Sequence, residues 1–256
     1  MEFQERIKQM KGKEKIVMLT AYDYQIAKII DTVGIDLILV GDSLGMVVQG
    51  HKDTKSVTMK NMIYHLKAVA RGVRKTPIIG DLPINSCNTT HGALMNAKQF
   101  LNSGADGVKI EGNMHEVVKS LLDAEIPVMG HVGMLPQRAN VYRVKGKDPK
   151  EAEKIFQDAK DLDKLGVFSI VLECIPENLA KRITENISAP TIGIGAGKYC
   201  DGQVLVTNDM LGLNEDFKPK FVKRYAQLSK TIAKAIDKFK EEVTTGKYPD
   251  KEHTYH

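Results

Sequence analysis

The feature that most restricts this chain is a short apolar run that recurs along it and ends, again and again, in glycine or a charged side chain. The runs occupy residues 16–20, 37–41, 77–80, 107–112, 127–130, 168–172, 191–195 and 203–206. They are rich in Val and Ile, bounded by Gly or Pro, and too short for helices, so strands are expected. Helical patterns fill the intervals at residues 23–33, 59–73, 90–103, 114–124, 148–165 and 176–186. Gly34, Gly104 and Gly166 stand where C-caps are expected, and Asp148-Pro149 reads as a helix start. Strands alternating with helices imply βαβ units and a parallel sheet. About eight such units in a chain of this length point to a single (β/α)8 TIM barrel domain over residues 1–256. Only residues 196–202 separate the last two runs, too few for a crossover helix, so a degenerate seventh helix is expected. A doubly wound open sheet is the rival. Phe221, Tyr225, Leu228, Ile232, Ile236, Phe239 and Val243 recur at steps of three and four, which predicts an amphipathic C-terminal helix over about 221–243, followed by a short polar tail.

Read as strands of a barrel, the runs bring their ends to one mouth, where the sites of such folds lie. Those ends are Asp42, Asp81, Glu111, His131 and Glu173, with Lys109 one pleat back from Glu111 on the same strand face. Any one of them, taken singly, is as well explained as a helix cap or loop entry. A succession of ionisable strand ends is harder to dismiss, because a buried charge must be paired or must hold an ion or ligand. Asp42, Asp81 and Glu111 come from neighbouring strands and would repel one another without a cation between them. Carboxylates with no accompanying Cys or paired His suit a hard ion, Mg²⁺ before Zn²⁺. Lys109 can hold a substrate carboxylate. Glu173, across the mouth, can act as a general base if an apolar setting raises its pKa, with a structural ion pair as the bland alternative. Residues 132–147 form an unusually long polar connection containing Pro136, Arg138 and Arg143, the mark of a lid or binding loop. Gly193, Gly195 and Gly197 read more readily as a tight strand-to-loop turn than as a phosphate cradle.

Composition narrows the class further. The formal charge is +5, but the lysines are scattered, which argues against a nucleic-acid surface. Cys87, Cys174 and Cys200 show no C-x-x-C spacing and leave an odd one over, as expected in a reducing cytoplasm. No apolar run approaches membrane-spanning length, and the N-terminal residues lack the apolar core of a signal peptide. A cytoplasmic enzyme is therefore expected. A non-catalytic metabolite-binding barrel would be favoured by a missing base, and a scaffold would leave the charged strand ends without a purpose.

These residues resemble the ketopantoate hydroxymethyltransferase family. The likeness is carried by Leu19-Thr20-Ala21-Tyr22-Asp23, Val40-Gly41-Asp42-Ser43, Gly80-Asp81-Leu82-Pro83, Val108-Lys109-Ile110-Glu111-Gly112, Gly130-His131-Val132-Gly133, Ile192-Gly193-Ile194-Gly195-Ala196-Gly197 and Asp201-Gly202-Gln203. It runs from about Phe3 to Glu252-His253 in order and spacing. Two departures, Met134-Leu135-Pro136 where the family usually has Leu-Thr-Pro and Thr207 to Asp209 where His often precedes the aspartate, touch none of the expected ligands. The resemblance implies a (β/α)8 barrel assembled as a homodecamer, with Mg²⁺ on Asp42, Asp81 and Glu111. It implies that Asp42, Ser43, Asp81 and Lys109 contact a 2-oxo acid, with His131 beside them, and that Glu173 accepts a proton. The implied reaction passes a one-carbon unit from 5,10-methylenetetrahydrofolate to 3-methyl-2-oxobutanoate. A Mg²⁺-dependent oxo-acid lyase or mutase of the phosphoenolpyruvate type is the neighbouring alternative on the same barrel.

Overall fold

In the computed structural model, residues 2–139, 141–215 and 218–255 are described. Eight strands form in chain order: β1 (Ile16–Thr20), β2 (Leu37–Val40), β3 (Ile78–Asp81), β4 (Gly107–Glu111), β5 (Val128–Gly133), β6 (Ser169–Glu173), β7 (Thr191–Ile194) and β8 (Gly202–Leu205). All neighbouring pairs are parallel, and β8 pairs with β1, so the sheet closes into a barrel and the open-sheet rival falls. Around it run α1 (Phe3–Met10), α2 (Tyr24–Val33), α3 (Leu44–Val47), α4 (Met59–Gly72), α5 (Thr90–Leu101), α6 (His115–Asp123), α7 (Pro149–Leu165) and α8 (Glu177–Asn186). After β8 come α9 (Thr207–Met210) and α10 (Leu228–Thr244). Residues 195–201 contain no helix, so the seventh crossover is made by a loop alone.

The helices begin and end where local chemistry asks. Asp23 accepts from Ile26 N at the start of α2, and Asp148 accepts from Lys150 N and Glu151 N ahead of Pro149. Thr58 and Asn61 close a reciprocal box on α4. Gly34 and Gly166 adopt the left-handed conformation that stops α2 and α7.

Strand alternation divides the core into two layers. Val108, Ile110, Ile78, Val128 and Ile170 face outward onto the helices, joining Leu66, Phe100, Leu121 and Leu162 in one buried cluster. Ile16, Met18, Leu37, Leu39, Ile79, Met129, Val171, Ile192 and Val204 fill the barrel interior. Each fully buried side chain of this size contributes about 1.5–3 kcal/mol relative to exposure. Ile7 of α1 joins the interior cluster, and Phe3 packs edge-on against Phe168 with ring centroids 5.3 Å apart. The same inward parity, continued two residues up each strand, takes Ile79 to Asp81, Met129 to His131 and Val171 to Glu173. The apolar plug thus gives way to the ionisable mouth within one pleat.

Grouped by their internal contacts, residues 1–206 form one compact unit and residues 207–256 another. Every residue expected in the site lies in the first. In the second, α10 starts at Leu228, not near Phe221 as the apolar spacing suggests. The intervening backbone is committed elsewhere: Tyr225 N donates to Met210 O and Leu228 N to Leu211 O, which holds the chain beside α9 before the helix can start. Among the described residues no helix is long and apolar enough to cross a membrane.

Candidate active site

The register of the sheet sets which ionisable side chains are neighbours. Asp81 of β3 lies beside Lys109 of β4, and Glu111 of β4 beside His131 of β5. Lys109 Nζ donates to both oxygens of Asp81 at 2.8 Å, and both residues are buried. Burial alone would strip the proton from Lys109, but the Asp81 carboxylate, with Glu111 and Asp42 behind it, holds its pKa above the usual lysine range. Asp42 follows β2 at the start of the loop into α3 and accepts from Gln137 Nε2 at 2.9 Å. Gln137 Nε2 also donates to Leu82 O at 3.0 Å, while Gln137 N donates to Glu111 Oε2 at 3.2 Å. Glu111 Oε1 is buried without a hydrogen-bond partner among the described residues.

Electrostatically this is a crowded acid site around one lysine. Burial, reinforced by the charge of Asp81, lifts the Asp42 carboxyl to about 7 against the pull of Lys109. Burial likewise carries Glu111 well above the carboxylate range, with Lys109 opposing and Asp42 and Asp81 adding to the rise. Glu173 ends β6 with its side chain 17% exposed, and burial raises it to about 7, again against Lys109. His131 stands between the two glutamates, Nδ1 3.8 Å from Glu111 Oε1 and Nε2 3.3 Å from Glu173 Oε2. Burial, then the nearby Lys109, push its pKa well below the usual value, so the imidazole is neutral at pH 7.

The six ionisable residues expected at the mouth are therefore gathered there, with Ser43 beside Asp42. Ser43 Oγ is 2.8 Å from the hydroxyl of buried Tyr22, whose carbonyl is held by His65 Nδ1 at 2.7 Å. Asp42, Asp81 and Glu111 do not converge on a single point: among the described residues no three His, Cys, Asp or Glu side chains form a ready metal cluster. Asp81 is turned onto Lys109, and Gln137 is bonded to the other two. Their donor set nevertheless fits a hard cation, since it is all oxygen, buried and acid-rich, with one glutamate oxygen unpartnered.

The weaker candidates resolve into structure. His115 is exposed beside Glu116, Arg143 pairs with Glu151 at the surface, and Gly195 and Gly197 take positive φ in a tight turn. Cys174 leaves the strand with φ +47°, its N–H on Ile194 O. Two participants carried no signal of their own in the sequence. Tyr22 lies inside one of the motifs that carry the family resemblance but has no role assigned by it, and Gln137 lies in the long loop with only the loop's length to mark it. Asn140 of that loop lies outside the described residues.

Comparison with known proteins identifies the family. The profile of the ketopantoate hydroxymethyltransferase family matches residues 3–251. A 3-methyl-2-oxobutanoate hydroxymethyltransferase from Clostridium kluyveri is 54% identical over 251 residues, covering 95% of this chain and 90% of that protein. One from Thermotoga neapolitana is 52% identical, covering 98% of this chain and 95% of the other. Among solved structures, a phosphonopyruvate hydrolase complexed with oxalate and Mg²⁺ matches with a TM-score of 0.64 at 11% identity, over 99% of this chain and 93% of that one. A 2,3-dimethylmalate lyase matches with a TM-score of 0.63 at 14% identity, over 99% and 92%. At those identities the structural likeness speaks for the barrel alone. Profile and relatives together leave no doubt of the lineage: the chain is a transferase that belongs to the ketopantoate hydroxymethyltransferase family.

Proposed function

We propose that this enzyme transfers a hydroxymethyl group from 5,10-methylenetetrahydrofolate to 3-methyl-2-oxobutanoate, giving 2-dehydropantoate on the route to pantothenate. The relatives' name supports the reaction. The observation that carries the mechanism is Glu173, a carboxyl at the open edge of a buried acid site with its pKa raised to about 7, matched to taking a proton from carbon near neutral pH.

In this reading Lys109 receives the substrate carboxylate, and Ser43, hydrogen-bonded to Tyr22, donates to the oxo acid from the end of β2, two strands away. Asp42, Asp81 and Glu111 would hold Mg²⁺. When bound there, the ion supplies Lewis-acid polarisation of the 2-oxo group. Glu173 takes the C3 proton onto its carboxylate. The electron pair left at C3 forms a bond to the methylene carbon of the folate as one C–N bond breaks onto nitrogen. Water then supplies the hydroxyl as the second C–N bond breaks, releasing tetrahydrofolate. His131 Nε2 lies 3.3 Å from Glu173 Oε2, and because the imidazole is neutral it places no positive charge against that carboxylate. We further expect the enzyme to work as a homodecamer. The alternative, a lyase or mutase of the phosphoenolpyruvate type, has only the shared barrel in its favour.

The test is proton exchange. Protein incubated with 3-methyl-2-oxobutanoate and Mg²⁺ in D₂O, without folate, should wash out the C3 proton as followed by NMR. Glu173→Gln and EDTA should each suppress it, and methylenetetrahydrofolate should then yield 2-dehydropantoate. No exchange by the wild type, with or without folate, would sink the reading. Exchange that survives Glu173→Gln would mean another base.

A further inference from the structure

The long loop after β5 does more than cross the mouth. Its residue Gln137, 8% exposed, reaches the ends of three strands through three hydrogen bonds. The side-chain amide donates to Asp42 Oδ2 after β2 and to Leu82 O after β3, and the backbone N–H donates to Glu111 Oε2 at the end of β4. It takes one oxygen from each carboxylate and leaves Glu111 Oε1 unpartnered. The turn bearing Gln137 is itself closed, with Arg138 N and Ala139 N both donating to Leu135 O at 3.0 Å. The far end of the loop is tied separately. Lys145 N donates to Cys174 O at 2.8 Å, and Gly146 N to Glu151 Oε2 at 2.8 Å. Between these anchors the Tyr142 hydroxyl approaches Met46 Sδ of α3 at 3.9 Å, and burial together with the charge of Asp42 raises its pKa. The loop therefore rests on the carboxylates themselves.

We propose that Gln137 is a positioning residue for the divalent cation, orienting Asp42 and Glu111 so that one oxygen of each is presented to the ion. Cation binding and the seating of residues 134–139 at the mouth are thereby linked. The inference rests on the assignment of Asp42, Asp81 and Glu111 as ligands. Its physical basis is that a ligating carboxylate held by a hydrogen bond on its second oxygen has fewer wrong orientations to lose on binding. Linkage is reciprocal: whatever Gln137 contributes to ion affinity, the ion returns to the loop as stability.

The experiment uses the whole protein and Mn²⁺ alone, titrated by the loss of the free-ion EPR signal. Gln137→Met keeps length, bulk and the backbone N–H to Glu111 but removes the side-chain donor to Asp42 and Leu82 O, and should weaken Mn²⁺ binding by about 10- to 100-fold. Because the defect is in ion affinity, raising Mg²⁺ should restore kcat in that variant, which a purely structural lesion would not allow. On wild type, hydrogen exchange of peptides covering residues 134–139 should slow when Mg²⁺ is added, a measurement that needs no variant. If wild type binds no Mn²⁺, the ligand assignment fails and this inference with it. If wild type binds but Gln137→Met binds equally well, or if Mg²⁺ leaves loop exchange unchanged, the ligand assignment stands and the role of Gln137 is overturned.

Discussion

At the scale of single residues, the mouth is governed by burial acting on charge. Asp42 and Glu173 carry carboxyl pKa values raised to about 7, from ordinary values of 3.8 and 4.5. A raised carboxyl binds more protons folded than unfolded between those limits. Without added cation its contribution to stability is therefore lost as pH climbs from about 4 to about 7, the reverse of a salt-bridged aspartate. Glu173→Gln should accordingly raise the melting temperature at pH 8 relative to wild type and leave it nearly unchanged at pH 4. The same raised pKa predicts that kcat/KM in saturating Mg²⁺ climbs with pH and levels off above neutrality, while the residual rate of Glu173→Gln loses that limb. Lys109 works the other way. Its removal in Lys109→Met leaves Asp81 buried and unpaired, which should cost about 3–5 kcal/mol in urea unfolding besides abolishing substrate binding.

At the scale of elements, the glycine closing β5 shows how backbone geometry positions chemistry. Gly133 has φ +101°, and a Cβ there would run into the carbonyl of Glu173, which also accepts from Met134 N at 2.9 Å. Gly166, the C-cap of α7, has φ +99° but open space around the missing Cβ. Gly166→Ala should cost only the left-handed penalty, about 1–2 kcal/mol, with activity intact. Gly133→Ala should cost more than that in thermal unfolding and should also depress kcat, because the displaced backbone carries Glu173. Equal losses in both variants would show that the close approach at Gly133 is not what holds the base.

At the scale of the whole molecule, α10 stands out because none of its 17 residues is buried in the single chain, although Ile232, Ile236, Phe239 and Val243 form an apolar stripe. A stripe of that length gains nothing while it faces water. The expected decamer offers it a partner. Sedimentation should give a particle about ten times the 28.4 kDa chain, and Ile236→Glu with Phe239→Glu should reduce that mass. A monomer in the wild type, or an unchanged mass in the double variant, would remove α10 from the assembly.

Much of this protein could be read directly from its residues, because the signals are local. Strand–helix alternation, glycine caps and the parity of Lys109 and Glu111 within one strand depend on neighbours in sequence, and they led to a barrel with an ionisable mouth. The too-short crossover between β7 and β8 was legible for the same reason: seven residues cannot house a packed helix. Other properties belong to the folded chain alone. Gln137 and Asp42 are 95 positions apart, and nothing near either one announces the other. α10 starts at Leu228 and not near Phe221, since the unbroken apolar period runs through residues whose amides are spent on the α9 region. The raised carboxyls and the neutral His131 likewise follow from burial and from which charges face each other. Sequence determined the order and ends of the strands; closure of the barrel decided which of those ends became neighbours, because only packing removes water from between them.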